Sequence, residues 1–424
     1  MADLNRPRGT RDFNPEQMEL RRNVERKIRG AIERFGYREI QTPAFENLEL
    51  FVAKSGEQVV DQIYSFRDKG GRDIALRPEL TAPAMRFYAS DLRNEPKPLR
   101  LYYFGNCFRY ERPQKGRYRE FWQIGLEYIG RRTPLANAEV IQAAMSSLEE
   151  TGLEGLTLRV GHVGLLIDLL KSISLDPRKD KDLSVAVDKK DMSALREIFE
   201  KRADRSGIDL METITKTYDE GDWREALSGF AKTSPSSVEE LLEVLDLLQG
   251  DRKAEILCDL SILRGLDYYD GVVFEVDAPS LGAEKQVCGG GSYSLGSILG
   301  PKVEAIGFAL GFDRIMVALG DLKVKTHERP RFLLIPMGDR AKRFALGVQD
   351  RVHRAGHVCF LETFERPLKK AIGGALTSGC THIIIIGDEE VDEGVVSIKE
   401  LETKTQTKVN IGDMETYLEV YADG

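Results

Sequence analysis

The chain has 424 residues, of which 42% are hydrophobic and 31% charged, and its formal net charge is −8 at pH 7. This length exceeds one ordinary hydrophobic core, so we expect about two to four compact domains. The negative charge argues against nucleic acid binding over the whole surface, because phosphate contacts need Lys and Arg. Basic residues nevertheless cluster at 109–119 and 325–370, which allows an anionic partner on selected faces.

The N-terminal stretch MADLNRPRGTRDF has no apolar run of the kind found in secretory signals, and no segment reaches membrane-spanning length. We therefore expect a cytoplasmic protein without membrane contact. The five cysteines are dispersed and predict reduced, mostly buried side chains. His353, His357 and Cys359 lie close together, but no further ligand of suitable spacing completes a set, so we predict no structural metal.

The N-terminal part alternates helix and strand patterns. Residues 16–35 carry apolar side chains at helical spacing and stop at Gly36, which predicts an amphipathic helix. The segments YREIQTPAF, DIALRP, LRLYYFGNCFRYE and REFWQIGLEYIG are typical of strands. Together they predict helices packed on a mainly antiparallel sheet, an α+β fold.

The segment FRYERPQKGRYREFWQIGLE at 108–127 predicts a hairpin, because residues 113–116 supply turn chemistry between two strand patterns. Arg109 and Glu111 share one face of the outgoing strand. On the returning strand, alternation places a second polar face at Phe121, Gln123, Gly125 and Glu127. These faces line one cavity or form a solvated hairpin surface, and periodicity is compatible with both.

Residues 173–252 have helical periodicity without convincing strands and predict a helical insertion. Strand patterns return at 254–276 and 303–310. The passage EAIGFALGFDRIMVAL predicts a strand ending at Gly311 and a helix with Arg314 in its first turn, which suits an anion. The run GGGSY at 289–293 predicts either close approach of backbone to a ligand or a flexible turn. Alternating strands and helices beyond residue 330 predict a separate α/β domain.

Taken together, these segments resemble one family. GYREIQTP is similar to motif 1 of class II aminoacyl-tRNA synthetases, FRYERPQKGRYREFWQIGLE to motif 2, and GFALGFDRI to motif 3. RGLDYYDGVVFE is similar to the signature peptide of the histidyl-tRNA synthetase family. The resemblance implies a catalytic domain at 1–172 and 253–324, a helical insertion at 173–252 and an anticodon-binding domain at 330–424. It also implies a homodimer, formed through motif 1.

The resemblance implies that histidine reacts with ATP to form an adenylate, which then esterifies its tRNA. Arg109 and Arg264 would be catalytic. The residues implied to bind histidine are Glu79, Thr81, Arg109, Gln123, Glu127, Arg264, Tyr268 and Tyr269. Those implied to bind ATP are Arg109, Glu111, Arg117, Phe121 and Arg314. Mg²⁺ would bridge the ATP phosphates, without a dedicated protein cage.

One departure concerns the GGGSY run: many family members have arginine after the third glycine and aspartate two positions later, whereas this chain has Ser292 and Ser294. The tyrosines 268 and 269 are also compatible with simple core packing, with Arg264 paired to an acid.

An alternative function is that of the synthetase-like regulatory subunit of ATP phosphoribosyltransferase, which typically lacks the C-terminal domain and the signature arginine. A glycyl or prolyl enzyme would not account for RGLDYY with Glu127.

Overall fold

The computed structural model describes residues 5–55, 57–110, 118–176, 180–188, 191–200, 205–219, 221–250, 254–262, 268–294, 303–320 and 330–419. The chain divides into two compact units, Met1–Leu322 and Lys323–Gly424. The first unit contains a large sheet flanked by helices, and the second contains a smaller sheet with helices of its own. The predicted α+β fold with a C-terminal α/β domain is therefore confirmed.

The described part of the first unit contains twelve strands in two sheets. In chain order they are β1 (Arg38–Glu39), β2 (Phe45–Asn47), β3 (Ser65–Arg67), β4 (Asp73–Leu76), β5 (Leu99–Phe108), β6 (Glu120–Ile129), β7 (Thr157–His162), β8 (Thr217–Tyr218), β9 (Glu255–Asp259), β10 (Tyr269–Asp277), β11 (Gln286–Ser294) and β12 (Glu304–Gly311). The large sheet has the order β1-β5-β6-β12-β11-β10-β7-β9-β8, and β2, β4 and β3 form a small separate sheet. The large sheet is antiparallel except at β1/β5 and β7/β9.

Helices cover the large sheet. Within the described residues of this unit they are α1 (Pro15–Arg34), α2 (Leu48–Ser55), α3 (Thr81–Phe87), α4 (Pro134–Glu149), α5 (Val163–Ser172), α6 (Lys181–Asp188), α7 (Met192–Glu200), α8 (Arg205–Thr215), α9 (Trp223–Ser228), α10 (Pro235–Leu248) and α11 (Phe312–Leu319). The first helix begins at Pro15, one residue before the predicted start, because Asn14 and Gln17 form a capping box there. It ends just before Gly36, whose φ of 80° leaves the helical region.

Within the described part of 173–252, the predicted helical insertion contains helices α6 to α10 and one strand. Thr217 and Tyr218 form the two-residue strand β8, which pairs with the edge strand β9. A strand of two residues has no periodicity for a sequence pattern to detect, so it was missed. Trp223 and Leu241 of this segment belong to the same hydrophobic cluster as Leu158 of β7. The insertion therefore packs into the core beneath the sheet.

The single strand predicted for YREIQTPAF is wrong in its extent, since only Arg38–Glu39 and Phe45–Asn47 are strands. The physical reason is the Arg77 side chain. Its Nη1 donates to the carbonyl oxygens of Thr42 at 2.7 Å and Pro43 at 3.1 Å. A guanidinium thus satisfies backbone acceptors that a neighbouring strand would otherwise use.

The second unit is an α/β domain, as the alternating pattern predicted. Its described strands are β13 (Arg331–Pro336), β14 (Val358–Leu361), β15 (His382–Ile386), β16 (Val395–Glu400) and β17 (Gln406–Asn410), in the order β14-β13-β15-β16-β17. Its described helices are α12 (Asp339–Arg354), α13 (Leu368–Thr377), α14 (Asp388–Glu393) and α15 (Met414–Glu419). The first three strands of that order are parallel, and β16 and β17 are antiparallel.

Candidate active site

A cleft lies on the large sheet, where β6, β10, β11 and β12 are adjacent. It consists of a larger cavity of about 430 Å³ and a smaller one of about 240 Å³. The two cavities share six lining residues, namely Arg109, Gln123, Tyr268, Tyr269, Gly289 and Ala309. They are therefore two ends of one continuous site.

The smaller cavity is built around the Glu127 carboxylate, which is 1% exposed. The Tyr103 hydroxyl donates to its Oε1 at 2.9 Å, and the Tyr293 hydroxyl donates to its Oε2. Burial raises the pKa of both phenols well above their ordinary value, so both stay protonated and can donate. Gly307 lies opposite on β12, where an added Cβ would stand 2.0 Å from Glu127 Oε2. A glycine is required there to leave room for the carboxylate.

Strand alternation explains why Glu127 reaches the cavity. On β6, Gln123 and Glu127 line the cleft, while Ile124 and Leu126 point into the hydrophobic core. Alternation therefore turns the Gln123 and Glu127 side chains to the cleft and the Ile124 and Leu126 side chains to the core. The sequence was compatible with a cavity-lining face or a solvated hairpin surface. For β6 the cavity-lining interpretation is correct.

Glu79 and Thr81 form the other wall of the smaller cavity. The Glu79 carboxylate accepts the backbone N–H of Thr81 at 2.8 Å and that of Ala82 at 3.0 Å. These N–H groups lie at the start of α3, where a negative charge is stabilised by the helix dipole. The Thr81 hydroxyl is 3.2 Å from the Tyr103 hydroxyl. Tyr103 thereby connects the Glu79 wall to Glu127.

The tyrosine pair of the signature peptide lies at the junction of the two cavities. The Tyr268 and Tyr269 ring centroids are 4.3 Å apart, and Tyr293 meets both rings edge-on at about 6 Å. Burial raises the pKa of the Tyr269 phenol well above its ordinary value. Because both rings line the cleft, the interpretation that they only fill a core is wrong.

The larger cavity is lined by cationic and aromatic side chains. Arg109 Nε donates to the Pro78 carbonyl oxygen at 2.9 Å, and its guanidinium lies 5.2 Å from the Phe121 ring centroid. Arg314 is in the first turn of α11, as predicted, and its stem packs on Gly311. An added Cβ at Gly311 would stand 3.3 Å from Arg314 Cδ. The cavity therefore offers cations beside an aromatic face, a combination suited to a nucleotide.

Every predicted site residue in the described part of the chain lines this cleft. The smaller cavity contains Glu79, Thr81, Arg109, Gln123, Glu127, Tyr268 and Tyr269. The larger one contains Arg109, Phe121 and Arg314. Glu111, Arg117 and Arg264 lie outside the described residues. Ile262 and Tyr268, which bracket the segment containing Arg264, both line the larger cavity.

Tyr103 and Tyr293, which both donate to Glu127, were not among the predicted site residues. Tyr103 lies on β5 opposite Gly125, and Tyr293 is the tyrosine of the GGGSY run. Register between β5 and β6 would have placed Tyr103 near Glu127. The donation from Tyr293 depends on sheet order, which no local pattern contains.

The GGGSY run lies in strand β11, so the flexible-turn interpretation is wrong and close approach to the cleft is correct. Gly289 and Gly290 line the larger cavity. Ser292, at the position where many family members have arginine, is 1% exposed and donates to Asn137 Oδ1 on α4 at 2.6 Å. Its side chain therefore joins the sheet to a helix and does not enter the cleft.

The second unit has a cavity of its own, of about 600 Å³, beside the loop 362–367. The buried Glu362 carboxylate accepts the backbone N–H of Phe364 at 2.9 Å and Arg366 Nε at 3.0 Å. Glu365 has a φ of 53°, in the left-handed region. This loop holds Phe364 with 81% of its surface exposed.

No group of three or more His, Cys, Asp or Glu side chains suited to a metal ion occurs among the described residues. In the same part of the chain, every helix is too short or too polar to cross a membrane.

Comparison with known proteins identifies the family. The family model described as histidyl-tRNA synthetase matches residues 9–315, and that described as anticodon binding domain matches residues 331–420. The chain is 45% identical to the histidine–tRNA ligase of Archaeoglobus fulgidus, over 96% of this chain and 97% of that protein. It is 40% identical to the histidine–tRNA ligase of Methanocaldococcus jannaschii, over 97% of this chain and 99% of that protein.

Among solved structures, the apo histidyl-tRNA synthetase of S. aureus covers 98% of this chain and 100% of its own length, at 27% identity and a TM-score of 0.74. Sequence, domain content and fold agree over nearly the whole chain. The protein therefore belongs to the histidyl-tRNA synthetase family.

Proposed function

We propose that the protein joins L-histidine to its cognate tRNA at the expense of ATP. In the first step a histidine carboxylate oxygen attacks the α-phosphorus of ATP, the bond to the β-phosphate oxygen breaks, and pyrophosphate leaves. In the second step a ribose hydroxyl at the 3′ end of the tRNA attacks the adenylate carbonyl, and AMP leaves. The observation that supports this function is the continuity of a carboxylate–phenol pocket with an arginine–aromatic cavity.

The proposed role of Arg109 follows from its position. It lines both cavities, which supports a contact of its guanidinium with the amino acid carboxylate and with the α-phosphate. Phosphoryl-type transfer depends mainly on positioning and charge neutralisation, for which a planar guanidinium is well suited. Arg314 would hold the far end of the nucleotide, and Phe121 would stack on adenine. Outside the described residues, the family resemblance supports Arg264 as a second cation on the α-phosphate.

The family resemblance also supports nucleotide contacts for two residues of the hairpin loop, Glu111 with adenine and Arg117 with the phosphates. The division into catalytic segments at 1–172 and 253–324, an insertion at 173–252 and an anticodon-binding domain at 330–424 is part of this proposal.

Histidine selection is proposed to depend on Glu127 and Tyr269, which would meet the two ring nitrogens of the imidazole. Glu79, Thr81 and Gln123 would hold the α-amino group. A competing side chain without ring nitrogens would leave these buried groups unpaired, which costs about 1–3 kcal/mol per group. The pocket therefore favours histidine over an apolar amino acid of similar size.

Magnesium would enter as part of the substrate MgATP. Glu275, a buried carboxylate on the wall of the larger cavity, already pairs with Arg159 Nη2 at 2.5 Å and accepts from Gln286 Nε2 at 2.9 Å. Phosphate oxygens and water are the ligands that Mg²⁺ prefers in nucleotide sites.

The tRNA would be read by the second unit. Phe364 presents an aromatic ring to solvent beside a cavity that includes Lys342 and Arg366. Exposed aromatic rings stack on unpaired bases, and nearby cations attract phosphate. This pairing of features supports an anticodon contact at the loop 362–367. A role in translation also supports a cytoplasmic location.

A homodimer is supported by the small sheet. Phe45 pairs with Leu76 and Phe66 pairs with Ile74, so these four side chains share one face of the sheet. Phe45 is 55% exposed and Phe66 is 51% exposed. Two exposed phenylalanines on one face of a small sheet support an association surface there. Light scattering should give a dimer mass for the protein and a smaller mass for Phe45→Asp; a monomeric wild type would contradict the proposal.

The function is tested by exchange of radioactive pyrophosphate into ATP. Exchange that requires histidine, and does not occur with other amino acids, is the expected result. Exchange with glycine or proline would contradict the assigned specificity. Absence of exchange with any amino acid would favour the regulatory subunit of ATP phosphoribosyltransferase. That alternative is disfavoured by the anticodon-binding match at 331–420 and by the near-complete coverage of ligase relatives.

A further inference from the structure

The Asp313 carboxylate joins four parts of the first unit. It is 2% exposed, and its Oδ1 accepts Arg11 Nη2 and Arg21 Nη1, each at 2.7 Å. Its Oδ2 accepts the backbone N–H of Trp122 at 2.6 Å. Asp313 is in the first turn of α11, Trp122 is on β6 and Arg21 is on α1. Arg11 belongs to residues 5–13, which we call the N-terminal segment.

Each end of this network adjoins a residue of the larger cavity. Arg314 follows Asp313 in the first turn of α11, and Phe121 precedes Trp122 on β6. Arg314 and Phe121 line the cavity from different elements, so their separation depends on how α11 is fixed against β6. The Trp122–Asp313 hydrogen bond makes that connection directly, at the positions next to both residues.

The N-terminal segment supports the same wall. The Arg11 guanidinium lies 3.3 Å from the centroid of the Tyr118 ring, and Tyr118 lines the larger cavity. The Gly9 carbonyl oxygen accepts the backbone N–H of Arg119 at 2.9 Å. A Cβ at Gly9 would stand 2.7 Å from Arg119 Cγ, so the segment lies directly against the returning side of the hairpin.

We propose that Asp313 is a positioning residue for ATP, which sets the spacing of Arg314 and Phe121 and attaches the N-terminal segment to the nucleotide cavity. Asp313 itself lines the larger cavity, but protein donors engage both of its oxygens, so it acts through its neighbours. The inference rests on the proposed function in assigning ATP to this cavity.

A substitution that removes the charge of Asp313 distinguishes a positioning role from a purely electrostatic one. Replacing Asp313 with Asn makes the cavity wall more positive by one charge. If the carboxylate acted only through its field, that change would strengthen binding of a polyanion such as ATP. If it acts by positioning, ATP binding weakens although the wall has become more positive. The two explanations therefore predict shifts of opposite sign.

The experiment measures the KM for ATP and for histidine in pyrophosphate exchange, using the full-length chain. Asp313→Asn should raise the KM for ATP about 10- to 100-fold, the range expected when reacting groups are misplaced by about 1 Å. The KM for histidine should stay within about twofold, because the smaller cavity is untouched. An unchanged or lowered KM for ATP, or an equal rise for both substrates, would overturn the inference.

Arg11→Lys supplies a second test that does not depend on a buried residue, since Arg11 is 20% exposed. Lysine keeps the charge but loses the planar stacking on Tyr118. A higher KM for ATP supports positioning, and an unchanged value contradicts it. Arg22→Lys is the matched control, because Arg22 lies on α1 with 59% of its side chain exposed and pairs with Glu25 one turn away. It should leave both KM values unchanged.

Calorimetric titration with a nonhydrolysable ATP analogue separates this inference from the proposed function. If the wild type shows no histidine-dependent exchange, the proposed function fails. Weaker binding of the analogue by both Asp313→Asn and Arg11→Lys would still support the positioning role. Wild-type binding by either variant would overturn it.

Discussion

Glu127→Gln is the substitution that tests the amino acid pocket most directly. The carboxylate has two equivalent oxygens, which accept from the Tyr103 and Tyr293 hydroxyls. A glutamine side chain has one oxygen and one NH₂ group, so one phenol loses its acceptor. An imidazole N–H would also meet a neutral amide in place of a charged acceptor. We therefore expect weaker histidine binding with little effect on ATP.

The expected loss of histidine affinity in Glu127→Gln depends on how deeply the side chain is buried. A hydrogen bond to a charged group contributes about 1.5–3 kcal/mol, which corresponds to about a 10- to 150-fold change in affinity. Because Glu127 is 1% exposed, water cannot replace the lost interaction, and the upper part of that range applies.

The assay is pyrophosphate exchange against histidine concentration at saturating ATP, with calorimetric binding of histidine as a second measurement. Glu46→Gln is a matched control: Glu46 is 8% exposed, pairs with Arg86 and lines neither cavity of the cleft. It should lower thermal stability without changing the KM for histidine. A histidine affinity within about twofold of wild type in Glu127→Gln would refute the reasoning.

Three further outcomes are expected. Tyr293→Phe removes one donor from Glu127 and should raise the KM for histidine about tenfold; no change would mean that the phenol has no part in recognition. Phe364→Ala should raise the KM for tRNA in aminoacylation by the equivalent of about 1–3 kcal/mol and leave pyrophosphate exchange intact, whereas Phe364→Tyr should behave as wild type; an unaltered KM for tRNA in Phe364→Ala would argue against stacking. Burial lowers the pKa of His382 below its ordinary 6.5, against the opposing effect of Glu400, so the unfolded chain binds this proton more readily and stability should fall as pH drops below about 6.5. Hydrogen exchange of the β15 amides, corrected for intrinsic rates, should show this loss in the wild type and less of it in His382→Gln; equal losses would exclude His382 as the cause.

Local patterns predicted much of this protein. The glycine stop of α1 comes from neighbouring residues, and so does the alternation that places Gln123 and Glu127 on one face of β6. The strand-to-helix passage with Arg314 in its first turn is local as well. These features depend on backbone preferences and side-chain periodicity over a few residues, and the sequence displays both directly.

The contacts that complete the site were decided by the tertiary structure. Tyr293 donates to Glu127 across 166 residues of chain, and Arg21 pairs with Asp313 across 292. Such pairs form only because β6, β12 and β11 are neighbours in the sheet and α1 packs near the start of α11. Periodicity specifies which face a side chain occupies, but not which distant strand lies beside it. The order of the strands is set by the packing of all core side chains together. That order brings the buried partners of Glu127 and Asp313 within hydrogen-bonding distance.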